Sequence, residues 1–121
     1  MAALPTGTVT FLFADVEGST GLQQDPRLDY PATIATVRRI LRDATTGHGG
    51  SEADAVGDEY VAAFQSAPDA TEAALAAQRA LRDAEWPGGV AVRLRMGLHT
   101  GTPALGDEGY TGLDVVRAAR I

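Results

Sequence analysis

Apolar residues along the chain switch between two periods, and the switches mark out the elements. Residues 8–16, TVTFLFADV, form a β-branched and aromatic run closing on Asp15 and Val16, which predicts a buried central strand. Glu17 to Thr20, EGST, follows at once; Gly18 supplies a tight turn, and Ser19 or Thr20 is placed to cap a short helix. Pro26 to Pro31 interrupts the chain. Beyond it Ile34, Val37, Ile40 and Leu41 recur at helical spacing, with Arg38, Arg39 and Arg42 on the other side, until His48-Gly49-Gly50 ends the helix. Ser51 to Val56 and Tyr60 to Phe64 flank Gly57-Asp58-Glu59, which predicts a β-hairpin with Gly-Asp at its tip. Ala67 to Ala84 is an alanine-rich helix opened by Pro68-Asp69 and stopped before Pro87-Gly88. Val90, Val92, Leu94, Met96 and Leu98 then alternate with other residues, the signature of a half-buried strand. Residues 101–112 are predicted as loop, and Leu113 to Ile121 as the first turns of a helix.

The order β-α-α-β-β-α-β-loop-α predicts an α+β sandwich with helices on one sheet face. With 121 residues and neither linker nor internal repeat, residues 1–121 are expected to form a single domain. Because an apolar helical face has only begun at Val115, Val116, Ala118, Ala119 and Ile121, that domain is expected to lack its C-terminal part.

Composition narrows the function classes. A net charge of −6 argues against a nucleic-acid surface, which needs clustered cations to release phosphate counterions. It leaves a nucleotide substrate open, since Mg²⁺ can bridge carboxylates to triphosphates. With no cysteine, disulfides and thiolate zinc sites are excluded. No run approaches the length of a membrane span and residues 1–8 lack the form of a secretory signal, so the expected location is cytoplasmic. All ten basic residues are arginine, so no lysine of this chain can bind phosphate or a base.

Two carboxylates occupy privileged places. Asp15 closes a strand before a glycine turn into a helix, and Asp58 sits at a hairpin tip. If the strands are neighbours, both project from one sheet edge, as two-metal phosphoryl transfer requires. Hard oxygen ligands suit Mg²⁺ or Mn²⁺, and the backbone amides of Glu17, Gly18, Ser19 and Thr20 could cradle phosphates. Aspartate at a strand end or turn is also a common cap or Asx-turn residue, so position alone leaves both readings standing.

FLFADVEGST (residues 11–20) resembles the first metal motif of the class III adenylyl and guanylyl cyclases, and VGDEYVAAF (56–64) is similar to their second. RMGLHTG (95–101) resembles the strand before their dimer-interface loop, and GYTGLDVVRAARI (109–121) the start of their transition-state helix. The resemblance implies a ferredoxin-like α+β sandwich, βααββαβ, pairing head to tail into a homodimer with active sites at the interface. It implies attack of the ribose 3′-oxygen of a purine nucleoside triphosphate, ATP or GTP, on the α-phosphate, giving the 3′,5′-cyclic nucleotide and pyrophosphate. It also implies two Mg²⁺ or Mn²⁺ ions on Asp15 and Asp58, with the Val16 carbonyl completing one shell, and Arg120 at the α-phosphate. The sequence departs from the family at three places. Asp54 stands where the family carries its purine-reading lysine, Gly109 near the adenine-selecting position, and Val116 at the transition-state asparagine. Two readings follow: an active cyclase, or a cyclase-like regulatory module that binds metal-nucleotide or dimerises without turnover. VGDEY also resembles the hairpin of diguanylate cyclases, but Val56 replaces a glycine of that pattern, and FADVEGST has the class III form.

The remaining chemistry-bearing residues have bland expectations. His99 is read as a satisfied strand histidine and His48 as a helix-end residue on the dipole. Arg93 and Arg95, opposite the apolar stripe, are read as solvated, with a dimer ion pair as the alternative; Trp86 is read as packing a helix end, Glu17 as a solvated first-turn carboxylate with a further metal ligand as the alternative, and Asp107-Glu108 as an exposed loop.

Overall fold

The computed structural model describes residues 4–106 and 109–111. Its first strand, β1 (Val9–Val16), is followed by a five-residue helix α1 (Ser19–Gln23) and the long helix α2 (Tyr30–Gly47). The hairpin strands β2 (Ser51–Val56) and β3 (Glu59–Phe64) come next, then α3 (Ala67–Asp83) and β4 (Leu94–Gly101). Two short strands, β5 (Ala104–Gly106) and β6 (Gly109–Thr111), pair with each other. Among the described residues no helix is long and apolar enough to cross a membrane.

The main sheet runs β2-β3-β1-β4 with every pairing antiparallel, the strand order of a ferredoxin-like sandwich. The even-numbered positions of β1, Leu12, Ala14 and Val16, face α2 and α3 in the main core with Tyr60, Ala62, Phe64 and Leu94. The odd positions Val9, Phe11 and Phe13 lie on the other face with Ala63. Phe11 packs edge-on against Tyr110 of β6, ring centroids 4.9 Å apart, and the Tyr110 hydroxyl donates to the Pro5 carbonyl at 2.6 Å. The β5–β6 hairpin thereby reaches back to the start of β1.

The helices begin where the sequence provides caps. Asp29 accepts from the Ala32 amide at 3.1 Å at the start of α2, and Ser66 accepts from the Asp69 amide at 3.2 Å at the start of α3. Pro31, read as part of a break, instead lies in the first turn of α2, where its missing N–H costs nothing. His48 caps α2, its Nδ1 2.8 Å from the Ala44 carbonyl.

Three expectations change. Neither Ser19 nor Thr20 caps α1; its N-cap is Gly18, in the left-handed region at φ 64°. The strand expected from Val90 starts at Leu94, because Val16, the last residue of β1, is already opposite Leu94. Val90 and Val92 are nonetheless buried, which is why they carry the strand's alternation outside its ladder. The stretch 101–112, expected to be loop, contains β5 and β6. The helix expected over 113–121 lies outside the described residues.

Candidate functional site

Asp15 and Asp58 meet because β1 and β3 are adjacent. The ladder between them runs to Ala14 opposite Tyr60. Beyond Tyr60 the chain turns through Gly57-Asp58, with Gly57 at φ 58°, a positive value as in hairpin turns that place glycine at their first central position. The Asp58 side chain continues the ladder where the backbone leaves it: its Oδ2 accepts from the Val16 amide at 3.1 Å. The Asp58 carboxylate is therefore fixed beside the residue that follows Asp15, and both carboxylates are half-buried at one end of the sheet.

The hairpin carrying Asp58 is held from behind by α2. Arg38 donates through Nη2 to the Gly57 carbonyl at 2.7 Å, and Arg42 engages Glu52 of β2 through Nε at 2.7 Å and Nη2 at 3.3 Å. Sequence reading placed these arginines on a polar helix face but could not show what they reach.

Arg95 is exposed, as expected, but it also forks onto Asp15, Nε to Oδ1 at 2.9 Å and Nη2 to Oδ2 at 2.8 Å, a pairing the sequence does not show. The cause is register: Arg95 on β4 lies directly opposite Asp15 on β1, on the same sheet face. The Asp15 carboxylate raises the Arg95 pKa, first by hydrogen bonding and then by charge, with Glu17 and Asp58 adding to the effect. The end of the sheet thus pairs this guanidinium with Asp15, with two further carboxylates acting on it through charge alone.

Among the described residues no group of three His, Asp or Glu residues is placed to hold a metal. Two carboxylates with a neighbouring main-chain carbonyl still fit a small hard cation, because Mg²⁺ commonly binds through one or two carboxylates and completes its shell with water and substrate phosphate. A carboxylate has lone pairs enough for both the Val16 amide and an ion.

The other candidates fall at varying distances. The Glu17 amide is occupied by the Arg93 carbonyl at 2.8 Å, so Gly18, Ser19 and Thr20 are left as the candidate phosphate amides. Asp54 is exposed and lies opposite Val61, which is opposite Phe13, on the face that also carries Asp15. It is two strands from β1, about 10 Å at ordinary strand spacing, so it does not join the Asp15–Asp58 pair. Its Oδ1 accepts from the Ala55 amide at 2.9 Å. Gly109 opens β6 at φ 107°. Arg120 and Val116 lie outside the described residues. His99 stands opposite Phe11, away from the carboxylates.

The family model for the adenylate and guanylate cyclase catalytic domain matches residues 1–112. The chain belongs to this cyclase family. An uncharacterized protein of Mycobacterium tuberculosis is 44% identical over 119 residues, covering 97% of this chain but 39% of that protein. An adenylate cyclase of Lachancea kluyveri is 31% identical over 144 residues, covering 98% of this chain and 8% of the yeast protein. The chain thus spans well under half of these curated relatives. Among solved structures, a Trypanosoma brucei adenylate cyclase in its monomeric state superposes with a TM-score of 0.84 at 25% identity, covering 98% of this chain and 70% of that one. An adenylate/guanylate cyclase/hydrolase of Silicibacter pomeroyi gives 0.79 at 28% identity, covering 93% and 67%. The class III cyclase fold expected from the motifs is the fold found.

Proposed function

We infer that this chain is a catalytic domain of a nucleotidyl cyclase that converts ATP or GTP to the 3′,5′-cyclic nucleotide and pyrophosphate. The observation that carries the reading is the Asp58 carboxylate held on the Val16 amide, next to Asp15, at one end of the sheet. In this reading residues 1–121 act as one domain, and Asp15, Asp58 and the Val16 carbonyl hold two Mg²⁺ or Mn²⁺ ions. When bound, the two ions would neutralise phosphate charge and favour in-line attack by the ribose 3′-oxygen. The amides of Gly18, Ser19 and Thr20 bind the β- and γ-phosphates, with Glu17 bordering them. Arg120 steadies charge on the α-phosphate, the type of electrostatic contribution whose loss costs about 10²–10³ in rate. In this reading the active sites lie between two copies of the chain.

A second reading is favoured by Asp54. An exposed acidic group on this face, where the family carries its purine-reading lysine, repels a triphosphate and accepts where the lysine would donate. With Gly109 and Val116 it points to a cyclase-like module that binds metal-nucleotide or dimerises without turnover.

One assay separates the two. Protein at high concentration is incubated with ATP or GTP and Mn²⁺, and products are resolved by chromatography. The cyclase reading expects cyclic nucleotide that disappears in Asp15→Ala and Asp58→Ala. No cyclic product from either nucleotide rejects it. Mn²⁺-dependent nucleotide binding by calorimetry in that case supports the module.

A further inference from the structure

The fork between Arg95 and Asp15 occupies the carboxylate that the cyclase reading assigns to metal. Both Asp15 oxygens are engaged, one by Nε and one by Nη2, so neither is free of the guanidinium. A cation on Asp15 and this guanidinium would share one carboxylate, where their like charges repel each other. The pairing needs no reach across a loop, because Arg95 and Asp15 are direct cross-strand neighbours. Letting go also needs no backbone movement: the Arg95 side chain is 64% exposed, against 33% for Asp15, so the guanidinium can withdraw into solvent.

We propose that Arg95 is the displaceable counter-ion of the metal site, holding Asp15 until a divalent cation takes the carboxylate and releases the arginine. The proposal rests on Asp15 being a metal ligand. Without cation, Arg95 offsets part of the repulsion among Asp15, Glu17 and Asp58, which keeps the sheet end ordered for a ligand that brings more positive charge. Arg95 thereby sets the cation concentration at which the site fills. A solvent-exposed ion pair is weak, and a forked one sits at the strong end of that range. Removing it should tighten cation binding by about 2–5-fold, not by orders of magnitude.

Arg93 is the control, since it is an exposed arginine just before β4 whose hydrogen bond is made by its carbonyl, to the Glu17 amide, and not by its side chain to Asp15. Mn²⁺ binding is measured by calorimetry, without nucleotide, on the full chain and on Arg95→Met, Arg95→Lys, Arg93→Met and Asp15→Asn. Arg95→Met should bind Mn²⁺ several-fold more tightly than the unaltered chain. Arg93→Met should change affinity less, and Arg95→Lys, which keeps the charge but cannot fork, should fall between the unaltered chain and Arg95→Met. In parallel, the Arg95 Nε–H resonance should shift on titration with Mg²⁺, and this response should vanish in Asp15→Asn. Equal tightening in Arg95→Met and Arg93→Met, or none in Arg95→Met, overturns the counter-ion role while leaving the metal assignment intact. Mn²⁺ binding unchanged in Asp15→Asn, or absent from every variant, overturns the metal assignment and the counter-ion role with it.

Discussion

Gly50 shows how a single position can be settled by its surroundings. It follows α2, and its amide bonds the Thr45 carbonyl at 2.9 Å. A Cβ built there would overlap the ring of Phe64, which is fully buried and has nowhere to move. Gly50→Ala should therefore destabilise the domain by about 1–3 kcal/mol in urea unfolding. Gly47, at the end of the same helix, has open space around it and no left-handed backbone, so Gly47→Ala should be neutral or stabilising by up to about 1 kcal/mol. Two glycines three residues apart look alike as helix-stop signals, and the ring against one of them separates them. The same limit applied to the site. Asp15 and Asp58 were legible as strand-end and hairpin-tip carboxylates, whereas Arg95 was not, because its role depends on which β1 residue it opposes.

At the scale of elements, α3 owes its close seat on the sheet to alanine. Ala70, Ala73 and Ala77 are fully buried, and Leu81 completes the face. Small side chains let the helix approach the sheet with little gap, at the expense of tolerance for larger ones. Ala77→Leu should lower unfolding free energy by about 1–3 kcal/mol through overpacking, while Leu75→Ala, at a position 44% exposed on the same helix, should have little effect. Urea titrations of both variants check the contrast. The helix itself was plain in the sequence, because an alanine-rich run, Pro68-Asp69 at its start and Pro87-Gly88 beyond its end all agree. The start of β4 was misplaced because the Val90–Val92 alternation reports burial, and burial continues here after the ladder has ended. The β5–β6 hairpin was missed because strands of three residues are too short to display a period.

For the molecule as a whole, Tyr60 ties stability to alkaline pH. It is 1% exposed, and its hydroxyl lies 3.1 Å from Thr45 Oγ1, which in turn donates to the Leu41 carbonyl at 2.7 Å. Thr45 has one proton to give, so Tyr60 donates to it. Burial pushes the Tyr60 phenol up from 10.0 to about 12. A folded-state value above the unfolded one means the contribution is complete below pH 10 and is lost as pH rises through about 12. Two units correspond to about 2–3 kcal/mol, so unfolding free energy measured in urea should fall steeply over that window, and Tyr60→Phe should flatten the fall. A profile equally steep in Tyr60→Phe would place the alkaline sensitivity elsewhere. The residue pattern by itself determined most of the elements, an α+β sandwich and the position of the two carboxylates, because these are written in local periodicity and turn chemistry, and the short motifs added the family resemblance with the ferredoxin-like class it implies. The tertiary structure alone decided that Asp58 is fixed on the Val16 amide, that Arg38 braces the turn behind it, and that Arg95 holds Asp15. Those contacts depend on strand order and register, which pair residues as far apart as Asp15 and Arg95, and no local pattern encodes them.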